Sequence, residues 1–582
     1  MTLLKGIALG MSTAVLFAAC GNNQDTGLDL PSTNKFGTHI HNLEEENVLS
    51  KHQGDLDGLF LSNDLTKKDG NYFTRNPELD DEEGTSSDWA IVDFELSHKK
   101  QIIVAVIDSG VDHNHEDLKD VMWNNPGETG LDENGNDKSS NGIDDDENGY
   151  VDDIYGWNFI GGADGAHIDK ETLEMTREVV RFKKRIAAGD VLNDQEKKYF
   201  EVVKKAVEDE KEYASSRLEK YIPIQADIDK NMNVLKTKLG QEDFSLEALE
   251  AIDSTDSEVI NAKEELIKVV KRWGSVARIQ RALDYFNDIL NYYVNEDFDP
   301  RTKIVGDNPD DFSDVNYGNN DVIGPDAGHG THVAGIIAAS RDNDLGINGV
   351  AANVRIMALR AVPNGDERDK DIALAIRYAA DNGANIINMS FGKDFSPDKV
   401  EVDKAFLYAA EKGVLIMNAA GNDNRNVDKK QSFPNKYLSE KFHESLEIPS
   451  FMSIGASSRL KNLMLPASFS NYGKKGVDLF APGHQILSTT PGNKYDVYSG
   501  TSMACPAAAG VAALVWSQFP EMTAEQLKDL LNYTSRKYDG FKVRLPGAET
   551  FDLPVMFSGL SKTGGVIDAH AAIGLAKELS EN

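Results

Sequence analysis

The sequence predicts an α/β fold, a doubly wound and mostly parallel sheet with a large all-helical insertion. Apolar runs rich in β-branched residues and without polar alternation, such as 101–107, are typical of strands buried on both faces. Between 354 and 420, similar runs alternate with helical segments, as they do in parallel βαβ units. From 168 to 296, apolar residues recur at helical spacing among Glu and Lys, and Pro223 is the single proline.

The composition limits the classes of function. The chain has 582 residues, of which 40% are hydrophobic, and this suffices for a large core. Its net charge of -35 argues against a nucleic-acid-binding protein, because phosphate binding needs a basic surface. An acidic balance fits the binding of divalent cations better. The only cysteines are Cys20 and Cys505, so a disulfide framework is excluded.

The N-terminus has the features of an export signal. Residues 1–19 contain one lysine, an apolar run too short to span a bilayer, and small residues, so they are predicted to be a signal peptide. Residues 16–21 resemble a bacterial lipobox, which implies lipidation of Cys20 and a membrane-anchored lipoprotein at the cell surface or in the periplasm. The alternative is ordinary secretory cleavage after Ala19. Residues 20–99 are predicted to be a polar tether and an acidic N-terminal extension, either a propeptide or a segment packed on the folded domain.

The first predicted strand ends at a carboxylate. Asp108 directly follows the apolar run 102–107, and Gly110 allows a tight exit from the strand. In open α/β sheets, ligands and catalytic groups collect at the carboxyl ends of the strands. Asp108 is therefore a candidate functional residue, although a lone aspartate at such a place is structural about as often.

An acidic region follows this strand and predicts a calcium site. Between 112 and 153 there are fourteen acidic residues and two lysines, a density that favours a neutralising cation. Within it, 144–153 has oxygen ligands two residues apart and a glycine at the sixth place, as in the first half of an EF-hand loop. The predicted ligands of structural Ca2+ are Asp144, Asp146, Asn148, the carbonyl of Tyr150, and Asp152 or Asp153. The alternatives are a solvated acidic loop and a second, weaker site at 132–137.

The helical insertion at 168–296 interrupts the α/β pattern. Its apolar residues follow three-and-four spacing, as in Leu266, Val269, Val270 and Trp273, which predicts several antiparallel helices. A coiled coil is the alternative, but no heptad is sustained for long. An insertion at this place could gate substrates or bind a partner, and an inert insertion on the far surface is an equal alternative because loops tolerate long insertions.

Three further candidate functional residues lie at the ends of predicted helices and strands. His329 precedes, and His332 lies within, a predicted helix of small residues after the polar linker 307–326. The strand 414–420 ends at Asn422, which brings a side-chain amide to the carboxyl edge of the sheet. Ser502 stands before an apolar, alanine-rich segment, where a serine is most often only a helix N-cap.

Taken in order, Asp108, His329 and Ser502 supply a carboxylate, an imidazole and a hydroxyl. Nucleophilic acyl transfer needs these groups, because the imidazole removes the proton from the hydroxyl and the carboxylate holds the imidazole in one tautomer. The words Asp-Ser-Gly-Val-Asp (108–112), His-Gly-Thr-His-Val-Ala-Gly (329–335) and Gly-Thr-Ser-Met-Ala-Cys-Pro (500–506) resemble the three signatures of subtilisin-like serine proteases, the subtilase family.

The resemblance implies an exported serine endopeptidase that hydrolyses peptide bonds through an acyl-enzyme. Ser502 would be the nucleophile, His329 the general base and then acid, and Asp108 the residue that orients His329. Asn422 and the backbone N–H of Ser502 would bind the oxyanion. His332 lies in the motif but is not the base.

The same resemblance implies protein or peptide substrates in extended conformation. The residues expected to line the substrate are Ser390, Phe391, Gly392, Ala419, Ala420 and Gly421. The peptidase domain is expected at 100–167 and 297–582. A surface binding or adhesion protein built on this fold is the rival interpretation, and the intact triad favours the enzyme.

Three features depart from the family pattern. Asp108 and His329 are 221 residues apart, far more than is usual, and the insertion accounts for most of the excess. Cys505 replaces a small Ser, Thr or Ala and is expected to be a buried residue, not a nucleophile. No stretch clearly resembles the usual chaperone propeptide.

Overall fold

The computed structural model describes residues 71–97, 99–439, 446–548 and 552–581. The predicted signal peptide and Cys20 lie outside these residues. The strands are β1 (Ile102–Asp108), β2 (Gly156–Asn158), β3 (Val354–Arg360), β4 (Ile386–Met389), β5 (Leu415–Ala419), β6 (Phe451–Ser457), β7 (Leu479–Pro482), β8 (Ile486–Thr490), β9 (Lys494–Tyr498), β10 (Arg536–Lys537), β11 (Lys542–Val543), β12 (Val555–Met556) and β13 (Gly565–Val566).

Helices connect these strands and form the insertion. They are α1 (Ser87–Asp93), α2 (Glu174–Ala187), α3 (Asp194–Leu239), α4 (Leu246–Glu250), α5 (Ser257–Trp273), α6 (Ala277–Asp288), α7 (Arg301–Ile304), α8 (Gly328–Ala338), α9 (Asp369–Asp381), α10 (Lys399–Glu411), α11 (Thr501–Gln518), α12 (Ala524–Thr534) and α13 (Ala569–Glu581). A π-helical turn, Ile289–Tyr293, follows α6. Among the described residues, no helix is both long enough and apolar enough to cross a membrane.

Nine strands form one sheet in the order β10-β13-β7-β6-β5-β4-β1-β3-β2. All neighbouring pairs in it are parallel except β10 with β13. The register places Asp108 beside Arg360, and Met389 beside Asn418, so the carboxyl ends of the central strands share one edge. The predicted doubly wound parallel sheet is therefore confirmed.

Helices cover both faces of this sheet and bury two apolar cores. On one face α8 and α11 pack on alternate residues of β1, including Val104 and Val106. On the other face α9 and α10 cover Ala105 and Ile107. Because successive side chains of a strand point to opposite faces, a strand covered on both sides must be apolar throughout, as the run in β1 is.

The insertion is helical, as predicted, and has an apolar core of its own. The 46-residue helix α3 packs against α2, α5 and α6. Its core is built from fully buried side chains such as Phe182, Val203, Leu266 and Phe286. The five helices α2 to α6 all contribute side chains to this core, which differs from the two-helix seam of a coiled coil. Residues 168–173 still bond to the sheet domain, as in the backbone hydrogen bond from Glu171 to Asn364, and the helices begin at Glu174.

Residues 71–97 pack on the sheet domain. Tyr72 and Phe73 are fully buried in the same core as α8 and α11. The Tyr72 hydroxyl donates to the carbonyl of His484, and Trp89 stacks on His570 at 3.4 Å between ring centroids. Residues 71–97 of the N-terminal extension are therefore packed on the folded domain.

Candidate active site

The carboxylate at the end of β1 and the first histidine of α8 form a direct pair. Asp108 Oδ1 lies 2.7 Å from His329 Nδ1 and also accepts a hydrogen bond from the backbone N–H of Ser109. Asp108 is 2% exposed, whereas the side chain of His329 is 38% exposed. A Cβ on Gly330 would lie 2.1 Å from the carbonyl oxygen of Gly110, so the glycine permits the close approach of α8 to β1.

The contact with Asp108 fixes the chemistry of His329. A carboxylate accepts hydrogen bonds, so Nδ1 carries the proton and Nε2 is the atom left to accept another. Nε2 has no hydrogen-bond partner among the described residues. Burial lowers the pKa of His329, but the charge of Asp108 and the hydrogen bond to it outweigh burial, so the pKa lies above its ordinary value.

Ser502 lies in the first turn of α11, two residues after the extended N-cap residue Gly500. Its hydroxyl donates to the carbonyl of Ser390 at 3.0 Å, and the Ser390 hydroxyl donates to the carbonyl of Ser502 at 2.9 Å. This pair of bonds joins the start of α11 to the end of β4. Ser502 makes no side-chain cap bond, because the N-cap position belongs to Gly500.

Two hydrogen-bond donors converge beside Gly500. A Cβ at Gly500 would lie 3.5 Å from Asn422 Nδ2 and 3.5 Å from the backbone nitrogen of Ser502, so both donors border the same small space. Asn422 is oriented by its oxygen, which accepts from the backbone N–H and the hydroxyl of Thr501 at 2.8 and 2.9 Å. Its Nδ2 has no partner among the described residues, and it remains available to a ligand.

The residues expected to line a substrate flank this space. Ser390, Phe391 and Gly392 follow β4, and Gly392 is exposed. Ala419 and Ala420 are buried, and the backbone N–H of Gly421 donates to the hydroxyl of Thr501 at 3.1 Å. The structure thus brings both predicted substrate segments to the edge of the sheet that carries Asp108, Ser502 and Asn422.

Two neighbouring residues are unsuited to catalysis. His332 is fully buried, stacks on Tyr498 and contacts the carbonyl oxygens of Ile486 and Asp496 at 3.1 Å. Burial lowers its pKa to about 3, so its ring stays neutral. Cys505 is also fully buried, and burial raises the pKa of its thiol, which disfavours the thiolate.

Three acidic side chains form a separate candidate metal centre. Single oxygens of Glu128, Asp146 and Asp153 lie within 4.8 Å of one another. Glu128 and Asp153 are fully buried, and Glu128 Oε2 has no hydrogen-bond partner among the described residues. Burial, with the charges of Asp153 and Asp146, raises the pKa of Glu128 to about 7.

The structure unites only part of the predicted ligand set. Asp146 and Asp153 belong to this cluster, whereas Asp144 accepts the backbone N–H groups of Asn148 and Gly149, and Asp152 accepts that of Gly142. The side-chain amide of Asn148 donates to Asp153 at 3.0 Å, and its oxygen accepts the N–H of Tyr150. Sequence reasoning missed Glu128, which lies outside the EF-hand-like decapeptide although within the acidic region.

Comparisons with known proteins agree on one family. A model described as "Subtilase family" matches residues 99–548. A thermophilic serine proteinase of Bacillus sp. (strain AK1) is 40% identical over 244 residues, which are 42% of this chain and 52% of that protein. A cell wall-associated protease of Bacillus subtilis (strain 168) is 40% identical over 38% of this chain and 22% of its own length.

Subtilisin DY of Bacillus licheniformis is 38% identical over 36% of this chain and 70% of its own length. A crystal structure of a cold adapted subtilisin-like serine proteinase is 34% identical over 39% of this chain and 73% of that one, at a TM-score of 0.32. The matched part thus spans about half the length of the thermophilic proteinase and less than a quarter of the cell-wall protease.

Proposed function

We propose that this chain, which belongs to the subtilase family, is a serine endopeptidase that hydrolyses peptide bonds of proteins through an acyl-enzyme. One observation carries the proposal: the paired Asp108 and His329, Ser502 and the donor Asn422 meet at one edge of the sheet, although the chain separates them widely. These are the groups that acyl transfer requires.

The first half of the reaction uses Ser502 and His329. Ser502 Oγ attacks the carbonyl carbon of the scissile bond while His329 Nε2 takes the hydroxyl proton. Asp108 holds Nδ1 and stabilises the imidazolium that forms, and its low exposure keeps that interaction strong. His329 then gives the proton to the leaving amine, so the C–N bond breaks and the acyl group remains on Ser502.

The second half repeats these steps with water. His329 removes a proton from water, the resulting hydroxide attacks the acyl carbon, and the proton returns to Ser502 Oγ as the new carboxylic acid leaves. In both halves the negative oxygen would bind to Asn422 Nδ2 and the backbone N–H of Ser502, the two donors that border the space beside Gly500.

A covalent probe tests the proposed nucleophile. A fluorophosphonate is expected to label the folded protein, and Ser502→Ala should abolish labelling. Cys505→Ala is the matched control, because a buried thiol with a raised pKa is not a nucleophile, and it should still be labelled. Absence of labelling in the wild-type protein, with and without calcium, would argue against an active peptidase.

Calcium fits the cluster of Glu128, Asp146 and Asp153 as a structural ion. The cluster offers carboxylate oxygens, the ligands that Ca2+ prefers, and a buried oxygen of Glu128 that lacks a partner. Bound there, the ion would neutralise like charges and join the acidic loop to the residues that precede it. Asp144, Asn148, Tyr150 and Asp152 would complete or orient the loop.

Melting experiments test this site. A saturating ion stabilises the folded state by about 2.7 kcal/mol at a hundred times its Kd, so a chelator should lower the Tm of the wild-type protein. Glu128→Gln should remove most of that dependence, whereas the exposed control Glu521→Gln, outside the acidic region, should retain it. An equal response of both variants would exclude Glu128 as a ligand.

For localisation we propose export and lipid anchoring at Cys20. The support is the lipobox-like sequence and the name of one relative, a cell wall-associated protease. Cells that express the chain and are fed an alkynyl fatty acid should attach it to the protein, and Cys20→Ser should prevent this. A wild-type protein that carries no fatty acid would contradict the anchor.

A further inference from the structure

A four-residue segment connects the nucleophile to the root of the helical insertion. It begins at Ser390, which exchanges two hydrogen bonds with Ser502. It ends at Lys393, whose backbone N–H and carbonyl pair with Phe433 at 2.8 and 2.9 Å. Phe391 and Gly392 lie between, and under the proposed function they would pair with the substrate backbone. The position of this segment at both ends therefore decides how a substrate lies on the nucleophile.

Lys393 fixes the far end of the segment by its charge. Its ammonium is 2.8 Å from a carboxylate oxygen of Glu174, 2.8 Å from one of Asp369, and 2.7 Å from the carbonyl oxygen of Glu367. An ammonium has three protons, so these three acceptors satisfy it completely. The side chain is 2% exposed, which leaves water little opportunity to compete.

The ion pair with Glu174 belongs to the insertion, since Glu174 is the first residue of α2. Its carboxylate also accepts from Arg177 at 2.7 Å, and its backbone N–H donates to Asp366 at 2.8 Å. Burial opposes charge on both Glu174 and Lys393, but their opposite charges outweigh it, so the pKa of Glu174 is lowered and that of Lys393 raised. The pair is ionised, and it lies where the insertion meets the sheet domain.

A second contact leads from the insertion to the same stretch of chain. Phe395 packs against the apolar core of the insertion, and its ring meets that of Tyr199 in α3 at 6.2 Å between centroids. Ser396 donates to both oxygens of Asp369 at 3.0 Å. Residues 393–396 thus lie between the insertion on one side and the loop before α9 on the other.

We propose that the helical insertion positions the substrate-pairing segment, with Lys393 as the positioning residue and Glu174 as its partner in the insertion. This inference rests on the proposed peptidase function. It assigns the insertion a part in binding extended substrates: the ion pair holds Phe391 and Gly392 in register with Ser502, and it does not touch the reacting atoms. Substrates that occupy several residues of the segment depend on it, whereas a substrate that occupies only the nucleophile's immediate surroundings does not.

Glu174→Gln tests this, because it keeps the shape and the hydrogen-bonding oxygen but removes the charge. Two substrates are compared. One is the tetrapeptide anilide that the wild-type protein cleaves fastest, and the other is an ester of the C-terminal amino acid of that tetrapeptide. The concentration of active sites is measured by fluorophosphonate titration. Because the ammonium of Lys393 then loses its charged partner in the insertion and the segment is held less firmly, KM for the tetrapeptide should rise about tenfold. The kinetic constants for the ester should remain unchanged.

Glu196→Gln is the matched control. Glu196 lies in the first turn of α3 in the same insertion, is also buried, and pairs with Arg185 at 2.9 Å, away from Lys393. It should leave both substrates unaffected even where it lowers the Tm. If Glu174→Gln does not fold, Glu174→Asp, which shortens the side chain and weakens the contact, should give the same selective rise in KM.

The results separate the inference from the function on which it rests. A wild-type protein that is active, with tetrapeptide and ester hydrolysis changed equally by Glu174→Gln, would overturn the positioning role alone. A wild-type protein that neither cleaves the ester nor reacts with the fluorophosphonate would overturn both.

Discussion

At the scale of single residues, the proposed peptidase activity depends on the protonation of His329. As a general base its ring must be neutral, so activity is lost as the pH falls through its pKa. That pKa is raised by Asp108, so the acid limb of kcat/KM should lie above the ordinary pKa of histidine, about 6.5. Rates measured between pH 5 and 9 check this.

Asp108→Asn supplies the contrasting case. It removes the charge that raises the pKa of His329, so the acid limb should shift to lower pH while kcat falls by about 10⁴-fold. An acid limb that stays in place in this variant would show that Asp108 does not set the pKa of His329.

Residues also show where sequence reasoning stops. Asp108, His329, Ser502 and Asn422 could be proposed as site residues because the short words around them resemble segments of the subtilase family. Glu128 could not be predicted from the sequence. Its buried oxygen without a hydrogen-bond partner comes to lie beside the acidic loop only when the chain folds. The role of Lys393 could not be predicted either, because its partner Glu174 is 219 residues away in the chain and neither residue lies in a motif.

At the scale of elements, the segment before β1 is expected to contribute to stability. Phe73 is fully buried in the core under α8 and α11. Replacing a buried phenylalanine by alanine removes apolar contacts and leaves a cavity, so Phe73→Ala should cost about 3–5 kcal/mol in the free energy of unfolding. Chemical denaturation of the purified protein measures this cost.

Leu79→Ala, in the same segment, is the control. Leu79 is 65% exposed, so its replacement should change the free energy of unfolding by less than about 0.5 kcal/mol. Equal stability of the two variants would mean that the segment does not pack on the core as described.

The periodicity of the sequence predicts the strands and helices, but it does not predict the contacts through which they dock on one another. Strands such as β1 and β5 are continuous apolar runs, and the helices of the insertion have a clear amphipathic period. The docking of α2 on the sheet domain involves buried ion pairs between distant residues, among them Lys393 with Glu174 at 2.8 Å. Periodicity carries no information about such pairs.

At the scale of the whole molecule, the separate core of the insertion predicts partial independence. Phe182, Leu266 and Phe286 are buried within the insertion itself. A fragment of residues 172–296 is therefore expected to be helical, with a cooperative thermal transition seen by circular dichroism. A fragment without helical signal would show that the insertion needs the sheet domain to fold.

The strand order has a consequence for biosynthesis. Strand β1 lies between β3 and β4, and Ile102 pairs with Val354, about 250 residues later. During translation β1 therefore leaves the ribosome long before either neighbouring strand has been made. The helices of the insertion can already form at that stage, because their contacts are closer in sequence. The proposed nucleophile Ser502 is made later still, so the candidate site cannot assemble before the chain has been synthesised past residue 502.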